Sequence, residues 1–305
     1  MSTPAFGTEL LLTGPFRSPR QMLAHQEYDG HASVHDDETA EKLGLIGAPI
    51  EGPTHFSQFD PIGVALWGHT WFERGCISSH FENMVIEGEQ VQATARPTGA
   101  DIAQISAAKA DGTPVLSGTI SVGPHHPQTE LDRRRAGLKP AGDLHILDQV
   151  RIGEKSRVAS GTMTFSERNG NLYPFSLQEK LQAITENSPW YEPSTAAESP
   201  WGRAIVPTEM ISVLAANCPA AGTVRGPAVG LFMDLEIRMH AGPVFVDKEY
   251  ELQREVVALG QTRRVEFYWT DTRIVDPDTG TLVASVLLNQ GVFKASYADY
   301  PQHLL

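Results

Sequence analysis

The stretch Gly47-Ala48-Pro49-Ile50-Glu51-Gly52-Pro53 runs directly into Thr54 to Trp67, where Phe56, Phe59, Ile62, Val64, Ala65 and Leu66 lie close together. A cluster of backbone breakers followed by a dense apolar run predicts the start of a buried helix. Pro61 and Gly63 weaken the second half of that helix. Downstream the pattern changes period. Ile77 to Ile86 reads as a strand, Gly88 with its acidic neighbours as a turn, and Val91 to Arg96 as a half-buried strand with clean alternation. Ile102 to Lys109 and Pro114 to Val122 flank Asp111-Gly112, a strong hairpin signal. Upstream, residues 20–48 are expected to be helical with a break in the middle. The first half therefore reads as one buried helix followed by an antiparallel sheet.

The second half repeats this plan. Phe175 to Thr185 predicts a short helix, and Ser188 to Gly202 a loop rich in Pro and Trp. Ile205-Val206-Pro207 then opens an apolar segment, Met210 to Ala216. Strands are expected over Leu231–Met239, Val244–Val257, Arg264–Val275 and Leu282–Phe293. Gly52 to Gly88 spans 36 residues and Pro207 to Gly242 spans 35, so helix start and strand turn recur in register. This implies an α+β fold of two repeats, each a central helix covering an antiparallel sheet. The expected boundaries are 1–128 for the first unit, 129–150 for a connector and 151–305 for the second. Joining the two sheets side by side would remove an exposed edge.

The 305 residues carry 24 Lys+Arg against 37 Asp+Glu, a formal net charge of −13. That balance disfavours nucleic acid and anionic membranes as partners. No apolar run approaches the ~18–20 residues needed to span a bilayer. Met1 to Pro15 lacks a basic segment, and Leu10 to Leu12 is short for a signal core. Cys76 and Cys218 show no metal or disulfide spacing, which fits a reducing compartment. A cytoplasmic location is expected, with no bound metal. Arg133-Arg134-Arg135, inside the connector, is either a phosphate contact or a solvated charge run.

Two segments carry a family resemblance. Val34-His35-Asp36-Asp37-Glu38-Thr39-Ala40-Glu41-Lys42-Leu43-Gly44, followed by Ala48 to Gly52, resembles the motif of MaoC-like (R)-specific enoyl-thioester hydratases and dehydratases, as does Phe81 to Val91. The resemblance implies a double hotdog fold. It also implies addition of water to, or its removal from, an acyl thioester of the coenzyme A type, with no further cofactor. Small-molecule acyl thioesters would be its partners, and a homo-oligomer, a dimer of double hotdogs, is expected. In such chemistry an Asp/His pair activates water, and a helix-terminal N–H holds the oxygen of the developing enolate. Carried over, the histidine is His35 and the N–H is that of Gly52. The family aspartate lies five residues before the histidine, where this chain has Gly30. Asp29, one residue earlier, is the candidate replacement, and His31 and Asp36 are alternatives.

His55 and Ser57, one turn into the helix, are candidates for supporting roles, and Trp71, Arg74 and Trp190 for lining the acyl site. Asp37 is expected to cap the short helix near Glu38. The corresponding loop of the second half, Asn187 to Tyr191, has no histidine, which implies a non-catalytic half. Asp234, Glu236 and Arg238 are expected to face solvent or the other half and to pair with Arg254 or Arg263. Competing readings are a hotdog thioesterase, a non-catalytic acyl-binding module, and an altered lyase or isomerase on a substrate without coenzyme A.

Overall fold

The computed structural model describes residues 10–27 and 31–305. Along the chain come β1 (Leu12–Thr13), α1 (Asp37–Lys42), a 3-10 segment Gly52–Phe59, α2 (Asp60–Trp67) and α3 (Thr70–Arg74). Then follow β2 (Gly75–Phe81), β3 (Val91–Pro97), β4 (Ile102–Lys109), β5 (Pro114–Val122) and α4 (Glu130–Ala136). The second half holds β6 (Ala159–Thr162), α5 (Leu177–Leu181), α6 (Thr208–Ala216), β7 (Gly230–Met239), β8 (Glu249–Gln261), β9 (Val265–Val275) and β10 (Leu282–Phe293).

All ten strands form one sheet in the order β1-β3-β4-β5-β2-β7-β10-β9-β8-β6. From the centre outward the halves read β2-β5-β4-β3-β1 and β7-β10-β9-β8-β6, the same topology twice. They join where β2 pairs antiparallel with β7, with Ile77 opposite Ile237. The expected single sheet with a pseudo-two-fold axis is therefore present. The hairpin at Asp111-Gly112 forms as expected, with Gly112 in the left-handed region at φ 87°.

Two proline-opened segments build the first central helix. Pro61 occupies the first turn of α2, where a missing N–H costs nothing. Gly63 is a packing requirement: a Cβ there would lie 2.4 Å from the Trp71 ring. Phe56, Phe59 and Ile62 from this helix, Met210, Ile211 and Leu214 from α6, and Ile77 and Ile237 from the central strands belong to one continuous core. Each buried aromatic or branched side chain contributes about 1.5–3 kcal/mol. The two central helices and the strands at the junction thus share this core, while smaller clusters pack around Ile146 and Val256 and under Leu131 and Trp269.

A buried carboxylate ties the halves together. Asp60, at the start of α2, accepts from Trp71 Nε1 at 2.8 Å, Tyr191 OH at 3.0 Å and Thr208 Oγ1 at 2.6 Å. Nearby, buried Lys180 donates to Thr54 Oγ1 at 2.9 Å and lies 3.4 Å from the Glu209 carboxylate.

Several expectations need correction. Helix in 20–48 is confined among the described residues to α1, because Gln21 and Gln26 side chains bond to the backbone of Pro49 and Leu172 in extended chain. Asp36, and not Asp37, caps α1 by accepting from the Thr39 N–H; Asp37 instead braces the Ala48 N–H. Strand β2 stops at Phe81, and residues 82–86 turn back so that Ile50 N–H reaches Val85 O. Strand β8 starts at Glu249, since Val244 and Phe245 pair instead with the chain entering α6.

The connector is packed. Thr129 and Asp132 form a capping box for α4, and Leu131 is fully buried. Leu131 N–H donates to Ser78 Oγ in the first half, and Thr129 Oγ1 to Glu236 in the second. Further on, Glu266 accepts from the N–H groups of His145, Ile146 and Leu147. Within the Arg133-Arg134-Arg135 run, Arg133 pairs with Glu130 and Arg134 with Asp234. Asp234 also meets His80 and Asn289, and Glu236 meets Arg238. The pairing expected for these strand residues with Arg254 or Arg263 is replaced by contacts under α4.

Candidate functional site

His35 is positioned by hydrogen bonds that reach across the molecule. Its N–H donates to Ser33 Oγ at 3.1 Å, Ser33 donates to Gln26 Oε1 at 2.7 Å, and Gln26 donates to Leu172 O of the second half at 2.9 Å. Its ring Nδ1 lies 2.7 Å from Pro49 O. A carbonyl only accepts, so Nδ1 carries the proton and Nε2 is left as the basic nitrogen. Burial lowers the His35 pKa, against the raising influence of the Pro49 carbonyl and the nearby Glu51 charge. The ring is thus neutral near pH 7 and able to accept a proton.

Gly52 opens the 3-10 segment, where the first N–H groups have no acceptor within the helix. The Phe81 ring lies over it, stacked on Phe56 at 6.1 Å, and a Cβ at Gly52 would come within 2.8 Å of that ring. Glycine here lets the Phe81 ring close directly over the start of the helix.

His35 and Gly52 line one cavity of about 130 Å³. His55 and Glu51 line it as well, and Tyr173, Phe232 and Gln290 contribute from the second half. His55 is buried, its Nδ1 has no hydrogen-bond partner, and burial pushes its pKa down to about 4, with Lys180 and Lys109 adding to the effect. Glu51 is buried, with Oε1 unpartnered. A neutral imidazole, a second neutral imidazole, a carboxylate and a helix-terminal N–H thus surround one space. That set can move a proton and hold an oxyanion.

No family model and no curated protein matches this chain. Among solved structures, it is similar to a protein assigned as a MaoC domain dehydratase from Chloroflexus aurantiacus J-10-fl. That match has a TM-score of 0.54 at 14% identity, covering 94% of this chain and 95% of the other. It is also similar to the conserved Mycobacterium tuberculosis protein RV0216, which has a double hotdog fold. Here the TM-score is 0.55 at 11% identity, with 94% and 97% covered. The fold is a double hotdog.

In this double hotdog the cavity opens at the start of the first central helix, between that helix, the His35 loop and the inner face of β7 and β10. Asp29 lies outside the described residues. His31 lies apart from His35: its Nδ1 sits 3.2 Å from Ala228 O, and its ring packs on Gly226 beside a second, adjoining cavity. Asp36 is exposed and engaged as the α1 cap, so it does not join His35.

Ser57, Trp71, Arg74 and Trp190 do not line the cavity. Ser57 Oγ donates to Thr54 O at 3.0 Å and meets Thr185 Oγ1 at 2.6 Å. Trp71 is a core residue held by Asp60 and stacked on Trp67. Trp190 packs edge-on against Phe72 and Trp201, and Arg74 is exposed. The inverse error concerns Glu51 and the second-half wall. Glu51 directly precedes Gly52, and an acidic residue next to a helix-opening glycine was the available signal. Nothing local in sequence points to Tyr173, Phe232 or Gln290. A bulge brings Phe232 to the cavity: the β7–β10 register shifts between Asn289 and Gln290, so Gln290 faces Phe232 while Asn289 faces Asp234.

Proposed function

We propose that this protein is a hydratase or dehydratase acting across the 2,3-double bond of an acyl thioester. The observation that carries the reading is the convergence of His35 and Gly52, 17 positions apart in sequence, on one cavity. In the hydration direction, neutral His35 takes a proton from water through Nε2 as the oxygen attacks C3. The electron pair of the double bond moves onto the thioester, and the oxygen of the resulting enolate rests on the Gly52 N–H. A proton then returns to C2, and the imidazolium is the nearest donor. Glu51 stabilises that transient imidazolium by its charge, and Asp29 is the further candidate for holding the water. The reaction needs no metal or redox cofactor, since every step is a proton transfer or a change of bonding within the substrate. Coenzyme A is the carrier we favour, and we place the chain in the cytoplasm as an oligomer.

A thioesterase reading is less well supported. It wants a free acidic residue on the helix, and Asp60 is occupied by donors from Trp71, Tyr191 and Thr208.

The test is a panel of 2-enoyl and 3-hydroxyacyl thioesters of varied chain length, followed by the absorbance of the conjugated enoyl thioester in both directions. Turnover without thiol release supports the proposal. Thiol release without loss of conjugation overturns it in favour of hydrolysis.

A further inference from the structure

The two central helices differ in length. The first runs through an 8-residue 3-10 segment and an 8-residue α-helix, whereas α6 has 9 residues and ends just before Cys218-Pro219. Proline disfavours helix in the residue before it and cannot continue the ladder. The inner face of β8, β9 and β10 beyond Ala216 is therefore not covered by helix. A cavity of about 790 Å³ occupies that space, and it shares Tyr173, Gly230, Phe232 and Gln290 with the cavity that holds His35 and Gly52.

The wall of this second space has an unusual character. The equivalent inner face of the first half is small and apolar: Ala93 and Ala95 on β3, Ala103, Ile105 and Ala107 on β4, all buried in the core. In the second half Arg254, Thr270, Thr272, Tyr268 and Gln290 line this space or the narrow neck beyond it. Arg254 Nε donates to Thr272 Oγ1 at 3.0 Å and Nη2 to Ala215 O at 2.9 Å. Among the described residues no carboxylate forms an ion pair with it, although the side chain is part-buried. Tyr268 OH donates to Gln290 Oε1 at 2.8 Å, which leaves the Gln290 amide N–H groups at the junction of the two cavities. A purely hydrocarbon acyl chain would strip water from a guanidinium and return nothing. A carboxylate would satisfy the open edge of its fork.

Resting on the hydratase reading, we propose that the acyl group ends in a carboxylate received by Arg254, with the thioester carbonyl at Gly52 and the chain passing Phe232 and Gln290. Arg254 is then the specificity-determining residue, and the first half supplies the chemistry.

The experiment is calorimetric titration of the full chain with saturated coenzyme A thioesters of matched length, one tipped by a carboxylate and one by a methyl group. Saturated thioesters report binding whether or not the protein turns over an enoyl substrate. The expected result is at least roughly tenfold tighter binding of the carboxylate-tipped thioester, as for a charge-assisted pair in a sheltered site. Arg254→Met should erase that preference, and Arg254→Lys should keep part of it, both with a native far-ultraviolet spectrum. Equal or tighter binding of the methyl-tipped thioester to wild type overturns the proposal. So does an Arg254→Met defect equal for both ligands that vanishes with N-acetylcysteamine thioesters, because Arg254 would then hold a phosphate of the carrier. Binding with the expected preference but no turnover of any enoyl thioester sinks the hydratase reading and leaves the role of Arg254 standing. Absence of any thioester binding overturns both.

Discussion

Asp60 is the point at which removal of one side chain tests whether the halves fold as a unit. The Asp60→Ala substitution orphans three buried side-chain donors, Trp71 Nε1, Tyr191 OH and Thr208 Oγ1, and two of them belong to the second half. Each unsatisfied buried donor costs about 1–3 kcal/mol. Part of that loss is offset, because the variant no longer buries a carboxyl group whose pKa desolvation raises against those same hydrogen bonds. The expected net loss is about 3–5 kcal/mol, with about 1–3 kcal/mol for Asp60→Asn, which keeps one accepting oxygen. Urea denaturation, followed by tryptophan fluorescence and by circular dichroism, should show one coincident transition shifted to lower urea. A cycle with Tyr191→Phe isolates the link between halves: that change should cost about 1 kcal/mol in wild type and close to nothing beside Asp60→Ala. A loss below about 1 kcal/mol for Asp60→Ala, or an unchanged Tyr191→Phe cost in the two backgrounds, would refute the interlock.

The Lys180–Glu209 pair predicts a stability loss that grows with pH. Burial raises the Glu209 carboxyl above its unfolded value, so its contribution is present below the unfolded pKa and fades as pH rises through the folded one. Lys180→Met removes the partner cation, and its cost of about 3–5 kcal/mol should be larger at pH 8 than at pH 5; adding Glu209→Met should recover most of it. His55 predicts the opposite limb. Its folded pKa of about 4 lies below the ordinary 6.5, so stability is lost as pH falls from 6.5 toward 4. The loss should reach roughly 3 kcal/mol and be largely absent in His55→Gln, as read by equilibrium denaturation at pH 7 and pH 4. Gly52→Ala keeps the N–H but drives a Cβ to 2.8 Å from the Phe81 ring. It should cost about 1–3 kcal/mol and narrow the cavity, and pairing it with Phe81→Leu should return the stability measured by melting.

How much the sequence disclosed depended on the range of the interaction involved. The helix-opening glycine, the strand alternation and the hairpin are encoded within a few residues, and β4, β5 and β10 match their expected bounds. The repeat was legible because helix start and strand turn recur at matched spacing. Residues 20–27 and 31–36 misled because their side chains, Gln21 and Gln26 among them, bond to distant backbone and form no helical face. Trp71 and Trp190 read as lining because aromatic side chains suit a pocket wall and a core equally well, and Asp60, Phe72 and Trp201 decide for the core. Arg254 carried no local sign at all. Its significance arises from the early end of α6 at Ala216, far along the chain from His35, and from a sheet face that only the folded chain assembles.

The most direct measurement is the hydration of a 2-enoyl thioester by wild type and by His35→Ala, with folding checked by circular dichroism. The account predicts turnover by wild type that rises as His35 loses its proton, from below pH 6.5, and levels off near neutrality, because burial lowers that pKa. It predicts that His35→Ala loses about 10²–10⁴-fold in kcat, the usual contribution of a positioned acid–base group. Wild-type turnover retained in full by a folded His35→Ala would contradict it.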